Sequence, residues 1–290
     1  MTWQLSLAGL LVGILVGLTG MGGGSLMTPI LILVFGFDAK VAVGTDILHG
    51  AIFKSFGAAR HRMLGTVHAR LALWMLVGSA PLSLVGVQIA SSFGDDTDAT
   101  MGRIVGGALI LGGLGFLAKT FLHGHSDDAP FILRPRDRFV AIVIGAACGF
   151  VVGLTSVGSG TFFGLAMLLL FPLTAQKIVG TDILHAAALL WVAGVGHLLH
   201  GNVDLQAMKW LLVGSIPGVL IGSQMSVRVP ERSLRFAFAF ILVLSGIKLV
   251  GVPQASLIIV IALAVAAVTA VVLVVRQRLA RRPVATAPNP

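Results

Sequence analysis

Charged residues are scarce in this sequence: Asp, Glu, Lys and Arg make up 11% of the 290 residues, while 57% are hydrophobic. A soluble globular chain carries about a quarter of charged residues, which solvate its surface. Apolar runs of about 20 residues, long enough to span a bilayer as a helix, recur from end to end. The composition excludes a soluble protein and predicts an all-α polytopic integral membrane protein.

Cysteine is almost absent, and basic residues outnumber acidic ones. The single Cys148 excludes an intramolecular disulfide and has no neighbours at metal-ligand spacing. The net charge of +9 comes from basic residues between the apolar runs, which is typical of cytoplasmic loops rather than of a nucleic-acid surface. We therefore expect no cofactor, no metal and no nucleic-acid partner, and the sequence leaves homo-oligomer formation open.

The sequence contains an internal repeat. Gly13 to Gln88 aligns without a gap on Gly149 to Gln224, with about 30 identities at a constant offset. The matched pairs include "VGLTGMGGGS" with "VGLTSVGSGT", "VGTDILHG" with "VGTDILHA", and "VGSAP" with "VGSIP". The protein is therefore a duplicated membrane unit.

Each copy contains four apolar segments, and a ninth segment stands alone at the C-terminus. The first segment of each copy, 5–37 and 139–173, is too long for one span and is interrupted by glycine, which predicts two short helices joined at a break. The other segments are 41–59, 69–92, 102–122, 178–199, 205–227, 234–250 and 256–275. We accordingly divide the chain into a first repeat (1–125), a basic cytoplasmic connector (126–138), a second repeat (139–252), a C-terminal transmembrane helix (253–276) and a cytoplasmic tail (277–290).

Basic residues indicate the orientation of the segments. If each broken segment enters and leaves by one face, as a re-entrant helix pair, all the basic clusters lie in the cytoplasm. The two copies are then inverted, each with a re-entrant pair and three spanning helices, and the C-terminus is cytoplasmic. This predicts a multi-pass protein of the cell (inner) membrane. The basic clusters are Arg60, Arg62 and Arg70; Lys119, Arg134, Arg136 and Arg138; Arg228, Arg232 and Arg235; and Arg276, Arg278, Arg281 and Arg282.

Inverted repeats with broken helices are typical of secondary transporters, whose half-helix N-termini point at anionic substrate groups. Glycine lets backbone N–H groups approach an oxyanion closely, and hydroxyls add donors. Alternatively, the glycines only permit close helix packing. The anion-site hypothesis assigns substrate binding to Gly22, Gly23, Gly24, Ser25, Thr45, Gly158, Ser159, Gly160, Thr161 and Thr181.

The paired glycine-rich breaks, the "VGTD" segments and the "VGSAP" and "VGSIP" motifs resemble those of the sulfite exporter TauE/SafE-type family, also called the toluene sulfonate uptake permeases. The resemblance covers the chain from about Leu5 to Val250. It implies export or uptake of a small sulfur-containing anion, such as sulfite or an organosulfonate like sulfoacetate, coupled to protons in some members.

The Asp and His of the duplicated motif depart from the common family pattern, in which smaller polar or apolar residues are expected. Ionisable side chains within a membrane span indicate function. Spaced three apart, Asp46 with His49 and Asp182 with His185 share a helix face, and histidine titrates near neutral pH. We predict that these pairs carry a coupling proton or contact the substrate. Alternatively, each pair hydrogen-bonds internally or to the preceding Thr, or the four side chains bind a metal.

Other functions and residues stay open at this level. The leading hypothesis is a transporter and not an enzyme; the alternatives are an anion channel and an intramembrane hydrolase with Ser159 as nucleophile and His185 or His197 as base. Lys54 aligns with Leu190 in the repeat, so it is a candidate substrate counter-ion that breaks the symmetry; alternatively, it reaches for the membrane interface or for an acidic neighbour. His61 and His197 match across the copies and are expected to be solvated at helix ends.

Overall fold

The computed structural model describes residues 2–19, 24–94, 97–122, 131–225 and 231–265. These residues form helices and connecting turns, with no strand among them. The helices are α1 (Thr2–Thr19), α2 (Gly24–Leu33), α3 (Ala39–Met63), α4 (Ala69–Ser92), α5 (Asp98–Phe121), α6 (Pro135–Thr155), α7 (Phe162–Leu170), α8 (Ala175–Leu199), α9 (Leu205–Met225), α10 (Glu231–Val250) and α11 (Ala255–Val265). The all-helical prediction is confirmed.

Five of these helices are long and apolar enough to cross a membrane: α4, α5, α6, α8 and most of α9. Shorter apolar helices lie within α1, α10 and α11. Helix α3 has 25 residues but is more polar, with Asp46 and Lys54 along its length. Large apolar side chains are exposed on the outside of these helices, where lipid would cover them, including Leu73, Val77, Leu111, Val213 and Leu220.

The long first segment of the second copy is divided, as its glycine run predicts. In the second copy, α6 ends at Thr155 and α7 begins at Phe162. In the first copy, α1 ends at Thr19 and α2 begins at Gly24, and residues 20–23 between them lie outside the described residues. Each copy therefore contributes a short helix of about three turns, α2 or α7, next to a longer one.

The described residues divide into two units, one within residues 1–250 and the other at residues 251–265. Within the first unit, each copy packs its first helix against a helix of the other copy: α1 of copy one packs along α9 of copy two, and α6 of copy two packs along α4 of copy one. Small residues allow these close approaches, because a Cβ on Gly9 would meet the backbone of Leu211 and one on Gly145 would meet that of Met75.

Equivalent helices of the two copies pack against each other in opposite directions. Along α3, Gly44, Gly50 and Gly57 approach His197, Leu190 and Ile183 of α8, whose residue numbers fall as those of α3 rise. Helices α5 and α10 also pair antiparallel, because Phe116 stacks on Phe238 and Phe121 contacts Phe236. The duplicated motif lies on the paired α3 and α8, at the centre of the unit.

The second unit contains α11, which begins at Ala255. The predicted C-terminal segment 256–275 matches this helix as far as Val265. The rest of that segment and the predicted tail lie outside the described residues.

Candidate functional site

A group of polar and charged side chains is buried inside the first unit. In the part of the chain that the structure describes, the buried charged side chains are two carboxylates and two ammonium groups. Asp46 is 1% exposed, Asp182 5%, Lys54 3% and Lys119 5%. Burying charge in an apolar interior is unfavourable unless opposite charges and hydrogen bonds compensate it. These four residues, with the break between α6 and α7, form the candidate site.

The Gly and Thr of the duplicated motif attach each copy to the other. Asp204, at the start of α9, donates its backbone N–H to Thr45 Oγ1 at 2.9 Å, and His68, at the equivalent place before α4, donates to Thr181 Oγ1 at 2.9 Å. A Cβ on Gly44 would collide with the backbone carbonyl of Asn202. The predicted substrate residues Thr45 and Thr181 therefore bind backbone groups of the opposite copy.

Asp46 is held by hydroxyl groups from both copies. Thr28 of α2 donates its Oγ1–H at 2.6 Å and its backbone N–H at 3.2 Å to Asp46 Oδ2. Ser156, directly after α6, donates its hydroxyl to the same oxygen at 2.9 Å. The other oxygen, Oδ1, has no hydrogen-bond partner among the described residues. Asp46 thus joins the short helix of one copy to the break of the other.

Asp182 lies in different surroundings, although its helix position is equivalent. The repeat counterparts of Thr28 and Ser156 are Gly164 and Gly20, so neither hydroxyl is present in this half. Instead, Asp182 interacts electrostatically with Lys119 of α5 and Lys54 of α3, and with the backbone N–H of Gly160. Its Oδ1 has no hydrogen-bond partner within the described residues.

The missing side chain at Gly164 makes room for a lysine. A Cβ built on Gly164 would lie 2.7 Å from Lys119 Nζ and 3.7 Å from Asp182 Oδ2. The ammonium group and the carboxylate therefore converge at the place where the first copy has a threonine, Thr28. In the sequence, Lys119 indicates only the orientation of the chain, as a member of a basic cluster. No match between the two copies identifies it as a site residue.

Lys54 connects the two carboxylates to the break. Its ammonium group donates a 2.6 Å hydrogen bond to Ser159 Oγ, and it interacts electrostatically with both Asp46 and Asp182. Lys54 therefore lies beside acidic neighbours, and its role as a substrate counter-ion stays a prediction. Ser159 is paired with this lysine rather than with His185 or His197, which have other partners.

The break between α6 and α7 uses several of its own donors. Ser156, Gly158 and Gly160 have φ angles of 63°, 129° and 95°, which turn the chain between the helices. The backbone N–H groups of Thr161 and Phe162 donate to the carbonyl oxygen of Gly158 at 3.2 and 3.1 Å. The buried hydroxyl of Thr161 has no partner among the described residues. At the N-terminal end of α7, some hydrogen-bond donors are therefore already bound within the break, while the Thr161 hydroxyl has no partner among the described residues.

The equivalent residues of the first break are less fully described. Gly22 and Gly23 lie outside the described residues. Gly24 and Ser25 form the first positions of α2.

The two histidines of the motif bind serines of the opposite copy, not the neighbouring Asp. His49 Nε2 and Ser215 Oγ are 2.8 Å apart, and His185 Nε2 and Ser79 Oγ are also 2.8 Å apart. Nδ1 of each histidine has no hydrogen-bond partner within the described residues. Sequence reasoning missed both serines, although the repeated "VGSAP" and "VGSIP" motifs contain them and gave a signal.

The expectation of a solvated His197 is wrong. This side chain is fully buried, and its Nε2 donates to the backbone carbonyl of Gly153 at 2.8 Å. It lies in the last turn of α8 but is covered by two other helices, because its ring reaches Gly153 of α6 and its Cβ packs against Gly44 of α3. No group of three or more His, Cys, Asp or Glu side chains with metal-binding geometry occurs in the described part of the chain.

Comparison with known proteins gives a consistent result. The family model for "Sulfite exporter TauE/SafE" matches residues 5–249. The chain is 40% identical over 255 residues to "Probable membrane transporter protein YjnA" of Bacillus subtilis, with 86% of this chain and 100% of that protein covered. It is 25% identical to YdhB of the same species, with 82% and 96% covered, and 22% identical to MJ0441 of Methanocaldococcus jannaschii, with 84% and 93% covered; both are also named probable membrane transporter proteins. No solved structure matches significantly.

Proposed function

The chain belongs to the sulfite exporter TauE/SafE family and is a membrane transporter; we propose that it is a secondary active transporter for a small sulfur-containing anion. The substrate is sulfite or an organosulfonate such as sulfoacetate, and its transport is coupled to protons. The substrate site is the group of buried residues around Lys54, Lys119, Asp46 and Asp182, at the middle of the membrane between the two copies.

One observation carries this proposal: two ammonium groups and two carboxylates are buried together beside a broken helix. Charged side chains inside a membrane protein are unfavourable and occur mainly on substrate or ion pathways. Secondary transporters bind their substrates near the midplane at such breaks. The two lysines supply the positive charge that an anionic substrate needs, Ser159 supplies a hydroxyl next to Lys54, and the buried hydroxyl of Thr161 has no partner among the described residues.

We propose that the two copies are inverted in the membrane and that they exchange access to this site between the two sides. The antiparallel pairing of α3 with α8 and of α5 with α10 supports inversion, because equivalent helices of inverted repeats run in opposite directions. The basic loops then lie in the cytoplasm, and so does the C-terminus.

The coupling proton is assigned to the duplicated motif. Asp46 and Asp182 face the lysines, and both keep one oxygen without a partner among the described residues. His49 and His185 bind Ser215 and Ser79 and connect the motif to α9 and α4. Protonation of a carboxylate would change the attraction between the motif and the lysines, which links proton binding to substrate binding.

Currents from purified protein in liposomes on a solid-supported membrane test the proposal. The anions to compare are sulfite, sulfoacetate, taurine, sulfate and acetate, each with and without a pH gradient. A secondary transporter gives a saturable current for sulfite or a sulfonate that the pH gradient drives uphill. A channel gives a current that does not saturate at modest concentration and that a pH gradient cannot drive uphill. Folded protein that responds to none of these anions contradicts the substrate assignment.

A second function, hydrolysis, is favoured by one contact: Lys54 Nζ lies 2.6 Å from Ser159 Oγ, as in Ser–Lys catalytic pairs. The repeat opposes it, because the counterpart of Ser159 is Gly23, whereas the glycines and the Asp–His pair are duplicated. Ser159→Ala separates the two functions. A nucleophile cannot be removed without loss of activity, whereas a transporter loses only one hydroxyl beside Lys54, so transport falls several-fold, by about 1 kcal/mol of binding, and persists.

A further inference from the structure

The two carboxylates of the duplicated motif have different neighbours, and this difference identifies where the anion binds. Asp46 Oδ2 accepts three hydrogen bonds from Thr28 and Ser156, which are uncharged donors. Asp182 lies instead beside two ammonium groups, those of Lys119 and Lys54. An anion that enters the site is attracted to the lysines, and the group already occupying that position is the Asp182 carboxylate.

The surroundings of Asp182 are those of an anion site. Besides the two lysines, the backbone N–H of Gly160 interacts with this carboxylate at the start of α7. Ser159 is bonded to Lys54, and Thr161 has a buried hydroxyl with no partner among the described residues. These donors come from three successive residues of the break. They match the recognition of an oxyanion by N–H, hydroxyl and ammonium groups together.

Charge balance requires that this resident carboxylate change its state when an anion enters. Asp46, Asp182, Lys54 and Lys119 sum to zero formal charge. An added monoanion leaves one buried negative charge without compensation, which is strongly unfavourable in a low-dielectric interior. Protonation of Asp182 restores neutrality and removes its repulsion of the incoming anion. It also releases the donors that the carboxylate occupied.

We propose that Asp182 is an internal competitor of the substrate: the sulfonate or sulfite anion binds Lys119, Lys54 and the Gly160 N–H in place of the ionised carboxylate, and each anion binds together with one proton on Asp182. The inference rests on the proposed transport function and deepens it, since it names the anion's ligands and the coupling group. The titratable groups of other helices that interact with Asp182 are Lys54 on α3, Lys119 on α5 and Cys148 on α6.

Binding of sulfoacetate and methanesulfonate to the purified full-length chain, measured by calorimetry over the neutral pH range, tests the proposal. Methanesulfonate keeps its charge over this range, so any proton uptake belongs to the protein. For the wild type, the dissociation constant rises about tenfold for each pH unit on the alkaline side. In Asp182→Asn, which keeps the shape but cannot ionise, the affinity is independent of pH and at least equals that of the wild type at the alkaline end.

Two matched variants exclude other titrating groups. Asp46→Asn retains the wild-type pH slope, whatever its affinity, because Asp46 is bound by hydroxyls. Cys148→Ala also retains it. A slope in Asp182→Asn equal to that of the wild type overturns the assignment, and so does wild-type binding that does not depend on pH. The first result leaves the transport proposal intact, and the second leaves anion transport intact but removes its proposed coupling to protons. Folded wild-type protein that binds neither probe nor sulfite overturns the proposed function and this inference with it.

Gly164→Ala tests the position of Lys119 without a change of charge. The added Cβ would lie 2.7 Å from Lys119 Nζ, the mobile end of a long side chain, so the ammonium group moves away while the helix is kept. We expect about tenfold weaker binding of methanesulfonate, as for loss of one charge-assisted hydrogen bond, with an unchanged thermal unfolding midpoint. Wild-type affinity in Gly164→Ala would exclude Lys119 as a ligand of the anion.

Discussion

The hydroxyl of Ser79 lies 2.8 Å from Nε2 of His185, and the hydroxyl of Ser215 lies at the same distance from Nε2 of His49. Each bond joins a histidine of one copy to a serine of the other. The two bonds are equivalent, because the repeat alignment matches His49 with His185 and Ser79 with Ser215. All four side chains are buried. The motif therefore occurs in both copies because each copy uses it to bind the opposite copy. Its Gly, Thr and His residues all make contacts across the interface.

Removal of either serine hydroxyl should destabilise this interface. In Ser79→Ala, the buried Nε2 of His185 loses its partner, and we expect a loss of about 1–2 kcal/mol of unfolding free energy. Ser215→Ala should have a similar effect through His49. Thermal unfolding of the purified protein in detergent measures both. The control is Ser83→Ala on the same helix, since Ser83 Oγ donates to Ala80 within that helix; equal losses in Ser79→Ala and Ser83→Ala would contradict the prediction.

The glycine of the motif should tolerate no side chain. A Cβ on Gly44 would collide with the carbonyl oxygen of Asn202, and one on Gly180 with that of Thr66. These are backbone atoms that cannot move independently, so Gly44→Ala and Gly180→Ala should each cost about 1–3 kcal/mol. Gly107→Ala is the control, because nothing lies within 4 Å of its Cβ position and alanine favours the helix. If Gly44→Ala were as stable as Gly107→Ala, the helices would be able to move apart without a loss of unfolding free energy, which would contradict the prediction.

Ser156 combines a hydrogen bond with an unfavourable backbone conformation. Its φ of 63° is left-handed, and its repeat counterpart is Gly20. Both Ser156→Ala and Ser156→Gly remove the hydroxyl that binds Asp46, but only glycine relieves the conformation. We therefore expect Ser156→Gly to be more stable than Ser156→Ala by about 1 kcal/mol, measured by thermal unfolding. If the two variants unfolded together, the left-handed conformation would store no strain.

Helix positions could be predicted well from hydropathy and glycine. The segment predicted as 69–92 is helix α4 at the same bounds. The segment predicted as 178–199 begins earlier, at Ala175, because Thr174 caps α8 by accepting from the Lys177 N–H. Helix α3 is also longer than its apolar segment, since its ends are polar. Apolar runs define the part of a helix that lipid or core covers, and not its polar first and last turns.

The candidate site could be predicted where it is duplicated, and at Lys54, where a charge in one copy aligns with Leu190 in the other. Asp46, His49 and their counterparts were singled out because they occur twice. Their partners Thr28 and Lys119 could not be found this way, since Gly164 replaces the first and no match in the alignment marks the second. These contacts join residues that are far apart in the sequence, on helices whose packing cannot be read from the sequence. The asymmetry that separates Asp46 from Asp182 appears only when the helices are in place.

The last prediction concerns Lys54, which interacts with both carboxylates. Lys54→Leu introduces the residue that the second copy has at this position, Leu190, and so keeps the helix apolar. It leaves two buried carboxylates with one ammonium group fewer, and removal of one partner from a buried charge pair costs about 3–5 kcal/mol. We expect sulfite or sulfonate transport in liposomes to fall at least about a hundredfold. Lys209→Leu, on an exposed lysine of α9, is the control and should transport like the wild type.

A double variant distinguishes loss of charge balance from loss of an anion ligand. In Lys54→Leu with Asp46→Asn, one positive and one negative buried charge are removed together, so the thermal unfolding midpoint should recover most of the loss of the single variant. Transport should stay low, because the ammonium group that binds the anion is still missing. Recovery of both stability and transport would mean that Lys54 serves only to neutralise the carboxylates, and the anion would then be held by Lys119 without it.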